Sequence, residues 1–211
     1  MSIDDLNIFM MCDRLNTSAL SEMPTGFTVR HPREDELGIW KRMRFDDEES
    51  ANQYFDYMTE FFDRVYSPKG NLFFKTCLFV VDKNDTPVGT GFAWRLYDRF
   101  TTLHWFKTIK EYENKGIGRA LLSIVMSELS AEAYPVYLHT QVGSYRAIKL
   151  YSDFGFKILT DRDIGLRHND FRAGLPLLMD RMPPMDFKNL KFGKAGHDLL
   201  DCVASQKTSD F

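Results

Sequence analysis

Apolar positions along this chain change period several times, and each change marks an element. Phe27-Thr28-Val29-Arg30 alternates as a half-buried strand does. Residues 37–43 read as a short helix. Over residues 46–66, Ala51, Tyr54, Phe55, Met58, Phe61, Phe62 and Val65 recur at helical spacing, which predicts one long amphipathic helix. Asp46 with Glu49 three positions later fits a capping box, and Pro68-Lys69-Gly70 stops the helix. Residues 72–82 are almost continuously apolar, the pattern of a strand covered on both faces. The polar turn at 83–87 leads into residues 88–97, where Val88, Thr90, Phe92, Trp94 and Leu96 share a face, so a hairpin is expected. Residues 101–109 form a fourth strand that runs straight into a glycine turn.

That turn opens a helix over 118–130, with Leu121, Leu122, Val125, Met126 and Leu129 on its buried side. Residues 135–142 are a fifth strand. Residues 144–154 are a helix with Ala147, Ile148, Tyr151 and Phe154 on one face, and 155–159 are a sixth strand. Residues 173–182 are expected as a seventh, returning antiparallel. Residues 1–25 mix Leu6, Ile8, Phe9, Met10 and Met11 with polar positions and are expected as a short helix laid over the core. The polar segment 183–211 holds one short helix and has no assigned place. The order is thus antiparallel strands first, then a β-turn-α-β-α-β unit in which the strand before the glycine turn and the strand after its helix should be parallel, joined by a right-handed crossover.

Composition narrows the class of protein. The chain of 211 residues suffices for one full domain. A formal charge of −3 lacks the basic excess of a nucleic-acid or membrane-surface protein. No apolar run approaches the roughly 20 residues needed to span a bilayer. The acidic start Met1-Ser2-Ile3-Asp4-Asp5 is unlike a secretory signal, so a cytoplasmic location is expected. Cys12, Cys77 and Cys202 are odd in number and far apart, which reads as free thiols with no disulfide framework and no zinc site. Cys77 sits in an apolar run and reads as core packing.

The most specific chemistry lies in Lys115-Gly116-Ile117-Gly118-Arg119-Ala120-Leu121-Leu122. Two glycines one residue apart open a helix whose first N–H groups and positive dipole end attract phosphate. Taken locally, the pattern also fits a plain tight turn. A Walker loop is excluded, because Glu111 stands where its first glycine belongs and Ile117 follows Gly116. A dinucleotide fingerprint is excluded, because Leu121 holds the place of its third glycine.

This order of elements, with the turn after the fourth strand, resembles the GNAT acetyltransferase superfamily. Glu111-Tyr112-Glu113-Asn114-Lys115-Gly116-Ile117-Gly118-Arg119-Ala120-Leu121-Leu122 is similar to its acetyl-CoA loop. Ala147-Ile148-Lys149-Leu150-Tyr151-Ser152-Asp153-Phe154-Gly155-Phe156 is similar to its final helix, with Tyr four residues after Ala and then Gly-Phe. His104-Trp105, Leu138-His139-Thr140-Gln141 and Ser144-Tyr145-Arg146-Ala147-Ile148 resemble an uncharacterised bacterial branch. The resemblance spans roughly residues 27–159. It implies a mixed α/β (α+β) fold with a mostly antiparallel sheet of six to seven strands, flanked by helices. A parallel β-α-β unit would splay around the cofactor. The chain would be a single acetyltransferase domain, with an extension at 1–25, a core at 27–182 and a tail at 183–211.

The resemblance also implies acetyl-CoA as donor, no metal, and direct transfer of the acetyl group to a primary amine. Thr108 and Ile109 would hold the pantetheine arm. The N–H groups of Asn114, Lys115, Gly116, Ile117, Gly118 and Arg119 would hold the diphosphate, and Ser144 and Ala147 would flank the cofactor. Glu113 departs from the family's Gln or Arg, is unfavourable beside a diphosphate, and is expected to face solvent. Tyr151 matches the general acid toward the departing thiolate, and a core aromatic is the alternative. His139 is a candidate base, with a structural histidine as the alternative, and His104 is a second candidate. Tyr54, Tyr57, Phe61 and Trp94 either line the acceptor site or are plain core. The expected partner is a small-molecule or peptide amine, with no nucleic acid and no membrane, and a homodimer is open. A non-catalytic acyl-CoA sensor and a protein-interaction module using the tail are the rival readings.

Overall fold

The computed structural model describes residues 3–208 and 210. In chain order the elements begin with β1 (Asn7–Cys12), β2 (Phe27–Arg30), α1 (Leu37–Met43), α2 (Glu48–Gln53), α3 (Phe55–Val65) and α4 (Leu72–Thr76). There follow β3 (Leu78–Asp82), β4 (Pro87–Leu96), β5 (Phe100–Thr108), α5 (Ile117–Ser127), β6 (Val136–Gln141), α6 (Tyr145–Asp153) and β7 (Lys157–Leu159). The last are β8 (Asp163–Ile164), β9 (Arg167–His168), α7 (Phe171–Arg181), α8 (Pro184–Lys188), β10 (Phe192–Gly193) and α9 (His197–Ala204). The fold is mixed α/β, with mostly antiparallel strands flanked by helices.

The chain forms two compact units. One comprises Met1–Ala19, Arg95–Thr102 and Ser130–Phe211; the other comprises Leu20–Trp94 and Leu103–Leu129. In the second, the strands lie in the order β5-β4-β3-β2, with β2–β3 and β3–β4 antiparallel. Its core is aromatic. Trp40, Phe61, Phe62, Tyr66, Phe73, Phe79, Phe92 and Trp94 form one cluster, packed edge-to-face in many pairs. Burying each ring contributes its apolar area, and the edge-to-face geometry adds about 0.5–1.5 kcal/mol per pair.

The single helix expected over 46–66 is two helices, broken at Tyr54 (φ −102°, ψ 8°). The cap is Asp47, whose carboxylate accepts from the Ser50 backbone N–H at 2.7 Å, while Asp46 instead pairs with Lys107 at 2.5 Å. The apolar run from 72 also divides. Residues 72–76 are α4, which buries Phe73, and the strand starts only at Leu78.

In the first unit the strand order is β10-β7-β1-β6, with β10 parallel to β7 and the other pairs antiparallel. This corrects the helix expected in residues 1–25. Ile8-Phe9-Met10-Met11-Cys12 is a continuous apolar run that pairs on both edges, Met10 opposite Leu138 on β6 and opposite Ile158 on β7. All five are buried, because both faces are covered. Phe9 and Met11 pack with Tyr137, Leu159, Leu199 and Val203.

The seventh strand expected at 173–182 is the helix α7. Its buried positions are Gly174 and Leu178, and the buried Met182 just past its end continues a spacing of four that the intervening Pro176 and apolar Leu175 and Leu177 disguise. A Cβ at Gly174 would come within 2.6 Å of Val142, so glycine there permits the helix to lie close. The tail is structured too: α8, β10 and α9 follow one another, and Leu199 and Val203 of α9 belong to the core.

Phe9→Ala should therefore destabilise the protein by about 3–5 kcal/mol in urea unfolding, the cost of a large ring removed from a fully buried site. A change below about 0.5 kcal/mol would mean that this segment is peripheral.

Candidate functional site

The glycine turn lies wholly within the second unit. β5 ends at Thr108, and the Ile109 backbone N–H donates to the Val88 carbonyl at 2.9 Å. Tyr112 fixes the next bend: its hydroxyl donates to Asp82 at 3.2 Å and its ring meets Phe27 edge-on. Lys115 Nζ sits 4.4 Å over the Tyr112 ring. Asn114 (φ 60°) and Gly116 (φ 83°) both take the left-handed conformation, which glycine adopts without strain and asparagine more readily than other residues.

Gly116 is the N-cap of α5, and no side chain caps that helix. The intrahelical ladder begins with Ala120 N–H to the Gly116 carbonyl at 3.0 Å and does not use the amides of Ile117 and Gly118. The first turn carries no acidic residue, so the positive dipole end is not offset there. The chemistry of this mouth suits a phosphate-bearing group. Glu113 is half-buried, where exposure to solvent was expected, and its backbone N–H donates to Lys110.

Ser144, Ala147, Tyr151 and His139 lie in the other unit. Ser144 is the N-cap of α6 and makes no side-chain cap bond. Ser144, Ala147 and Tyr151 stand at i, i+3 and i+7, so they line one helical face. Ala147 is half-buried, and Tyr151 is 7% exposed, with its ring 5.7 Å from that of Phe156. Among the described residues the Tyr151 hydroxyl has no hydrogen-bond partner. Burial pushes this phenol well above its ordinary range, which keeps it protonated and able to donate.

His139 is held at both ring nitrogens. Arg167 Nη1 lies 3.2 Å from Nδ1 and Asn7 Oδ1 lies 2.9 Å from Nε2. Since a guanidinium can only donate, Nδ1 is the acceptor and the proton is assigned to Nε2. The Phe9 ring packs against the imidazole at 4.7 Å. The lone pair that a base would use is therefore already taken.

Of the four aromatic positions considered for an acceptor, Phe61 and Trp94 are core. Tyr54 and Tyr57 are 45% and 42% exposed, and Tyr54 stacks on Phe45 at 5.5 Å. Cys12 and Cys77 are buried thiols pushed up to about 11 and about 12 by desolvation, so neither is a thiolate at neutrality.

One feature carries no signal in the sequence. Trp105, inside β5, has φ 55°, a strained conformation for so bulky a residue. Its indole N–H donates to the Tyr66 hydroxyl at 2.8 Å, and that hydroxyl lies 2.5 Å from His104 Nδ1. Edge contacts from Trp40 and Phe61 hold the indole further. A hydrogen-bonded chain, Trp105 to Tyr66 to His104, thus pins the irregular strand to the end of α3. Burial lowers His104 to about 3, so it is neutral at physiological pH.

Among the described residues, no group of His, Cys, Asp and Glu is placed to hold a metal ion. No helix among them is long and apolar enough to cross a membrane.

Residues 40–156 match the model of the acetyltransferase (GNAT) family. No curated protein matches the chain. Among solved structures, a GCN5-related N-acetyltransferase from Sphaerobacter thermophilus is 18% identical, over 74% of this chain and 49% of that one, with a TM-score of 0.51. A tandem GNAT protein from the clavulanic acid biosynthesis pathway is 10% identical, over 74% and 50%, with a TM-score of 0.53. An acetyltransferase of the GNAT family from Colwellia psychrerythraea is 12% identical, over 73% and 53%, with a TM-score of 0.50. The chain spans about half the length of these structures, and at such identities they share its fold alone.

Tyr66→Phe should cost about 1–3 kcal/mol of stability, because it leaves the Trp105 N–H and the His104 nitrogen without this partner. A cost near zero in chemical unfolding would contradict the network. His104 also sets a pH dependence. Its folded value of about 3 lies below the ordinary 6.5. Between these values the unfolded chain binds a proton that the folded chain does not. Stability is therefore complete above 6.5 and falls as pH drops toward 3, by up to about 1.4 kcal/mol per pH unit. Urea midpoints measured across that window should fall with acid, and His104→Gln should flatten the fall by one proton's worth.

Proposed function

The chain belongs to the acetyltransferase (GNAT) family, and on that premise we propose that it moves an acetyl group from acetyl-CoA to a primary amine. The observation that carries this reading is the uncapped mouth of α5, with left-handed Asn114 and Gly116 before it. The amides of 114–119 would bind the diphosphate, with Lys115 and Arg119 adding positive charge. Thr108 and Ile109 would take the pantetheine arm. The Ile109 N–H donates to Val88 and its carbonyl accepts from the Tyr112 N–H at 2.9 Å, so Thr108 is the residue with groups left to offer in this stretch.

The bond changes are those of direct acyl transfer. The neutral amine attacks the thioester carbonyl, the C–S bond breaks, and the sulfur leaves with the bonding pair. Tyr151 would supply the proton to that thiolate, with Ser144 and Ala147 beside it on the helical face. A phenol kept protonated by burial, with no hydrogen bond holding its hydroxyl among the described residues, is free to donate. The proton lost by the amine would pass to solvent. His139 enters with a structural role, because Arg167 and Asn7 already occupy its nitrogens.

The acceptor would be a small molecule or a peptide amine in a cytoplasmic setting. A non-catalytic acyl-CoA sensor is the alternative use of the same loop.

A thiol-release assay with acetyl-CoA against a panel of amines tests the reading. Tyr151→Phe should lower kcat by about 100- to 10,000-fold while leaving the affinity for the cofactor unchanged, as loss of an acid acting only in the transition state requires. Cofactor binding without release of thiol for any amine would favour the sensor.

A further inference from the structure

A groove of about 320 Å³ opens at the C-terminal end of α6, wholly within the first unit. Arg14, Lys157 and Lys191 line it, together with Ser152 and Asn16, and its single carboxylate is Asp13. That carboxylate is already bound, 2.6 Å from Lys157 Nζ. Arg14 and Lys191 have no ion-pair partner among the described residues.

The two lysines are set against each other by the fold. β10 runs parallel to β7 with Phe192 opposite Ile158, so Lys191 stands opposite Lys157. Like charges at facing positions of neighbouring strands are destabilising. Asp13 offsets one of three positive charges, which leaves a local excess of two in a chain whose net charge is −3.

Cations near a helix C-terminus can instead serve its unpaired carbonyls. Here that need is met by another residue. Asn16 donates its side-chain amide to the Asp153 carbonyl at 2.8 Å and its backbone N–H to the Phe154 carbonyl at 3.0 Å. Cys12 Sγ donates to the Phe154 carbonyl as well. Arg14 and Lys191 are left with donors and no acceptor, next to the Ser152 hydroxyl.

We infer that this groove is a binding site for a small anion of the diphosphate class. Such a ligand offers acceptors only, matches a guanidinium and two ammonium groups, and relieves the repulsion between Lys157 and Lys191. The groove shares no lining residue with the loop at 114–119 and does not depend on the proposed acyl transfer.

Inorganic pyrophosphate is the probe, followed by amide chemical shifts in the whole chain. The expected result is saturable shifts at Ser152, Gly155 and Asn16, with inorganic phosphate weaker and acetate weaker still. Arg14→Ala/Lys191→Ala, which removes only exposed side chains, should weaken pyrophosphate binding at these amides at least tenfold and leave coenzyme A binding intact. Gly116→Val should do the reverse. The inference is overturned if these three amides do not move at millimolar pyrophosphate, or if the double variant binds as tightly as the parent. It is equally overturned if Gly116→Val abolishes the shifts, since the ligand would then be reporting the loop.

Discussion

The arrangement at the junction of β5 and α5 constrains the rest of the proposed chemistry. A strand must end, reverse its backbone through two left-handed residues, and start a helix without a capping side chain. Each step has a cost in an isolated peptide. Asn114 gives up a preferred conformation, and α5 begins with amides that its own ladder does not use. Tyr112, bonded to Asp82 and packed on Phe27, holds the bend so that these costs are met by the surrounding fold. A preorganised row of amides results, and diphosphate recognition is the chemistry such a row supports.

The aromatic core of the same unit stabilises a second irregularity. Trp105 keeps its left-handed backbone because Tyr66, Trp40 and Phe61 together fix its indole. Tyr66 lies at the C-terminal end of α3, so a helix and a strand share one buried polar chain inside an otherwise apolar cluster. Such a chain is costly if partly broken and rigid when complete.

Much of the second unit was legible in the sequence, because its elements follow simple periods. β2, α1, the β3–β4 hairpin and α5 fall where alternation, helical spacing and the glycine turn place them. Sequence and structure part where a local pattern has two physical readings. Ile8 to Cys12 is apolar throughout, which fits a buried strand as well as a short helix, and only pairing with both β6 and β7 decides. In α7, Gly174 and Pro176 suggest anything but a helix, yet Gly174 is there for close packing on Val142 and Pro176 is exposed. Among the site residues, the glycine turn could be read from residue types alone. The bonds of His139 to Arg167 and Asn7 could not, since they join residues 28 and 132 positions apart. Nor could the backbone of Trp105, where nothing in the residue type asks for a positive φ.

The claim that matters most is that amides at the β5–α5 junction grip the diphosphate of coenzyme A. Isothermal titration of coenzyme A into the protein measures it directly, with Gly116→Val as the control that strains the junction at its left-handed residue. The account predicts a saturable one-to-one heat that the variant loses by at least tenfold while remaining folded. Absence of heat with the parent protein, or equal affinity in the folded variant, would contradict it.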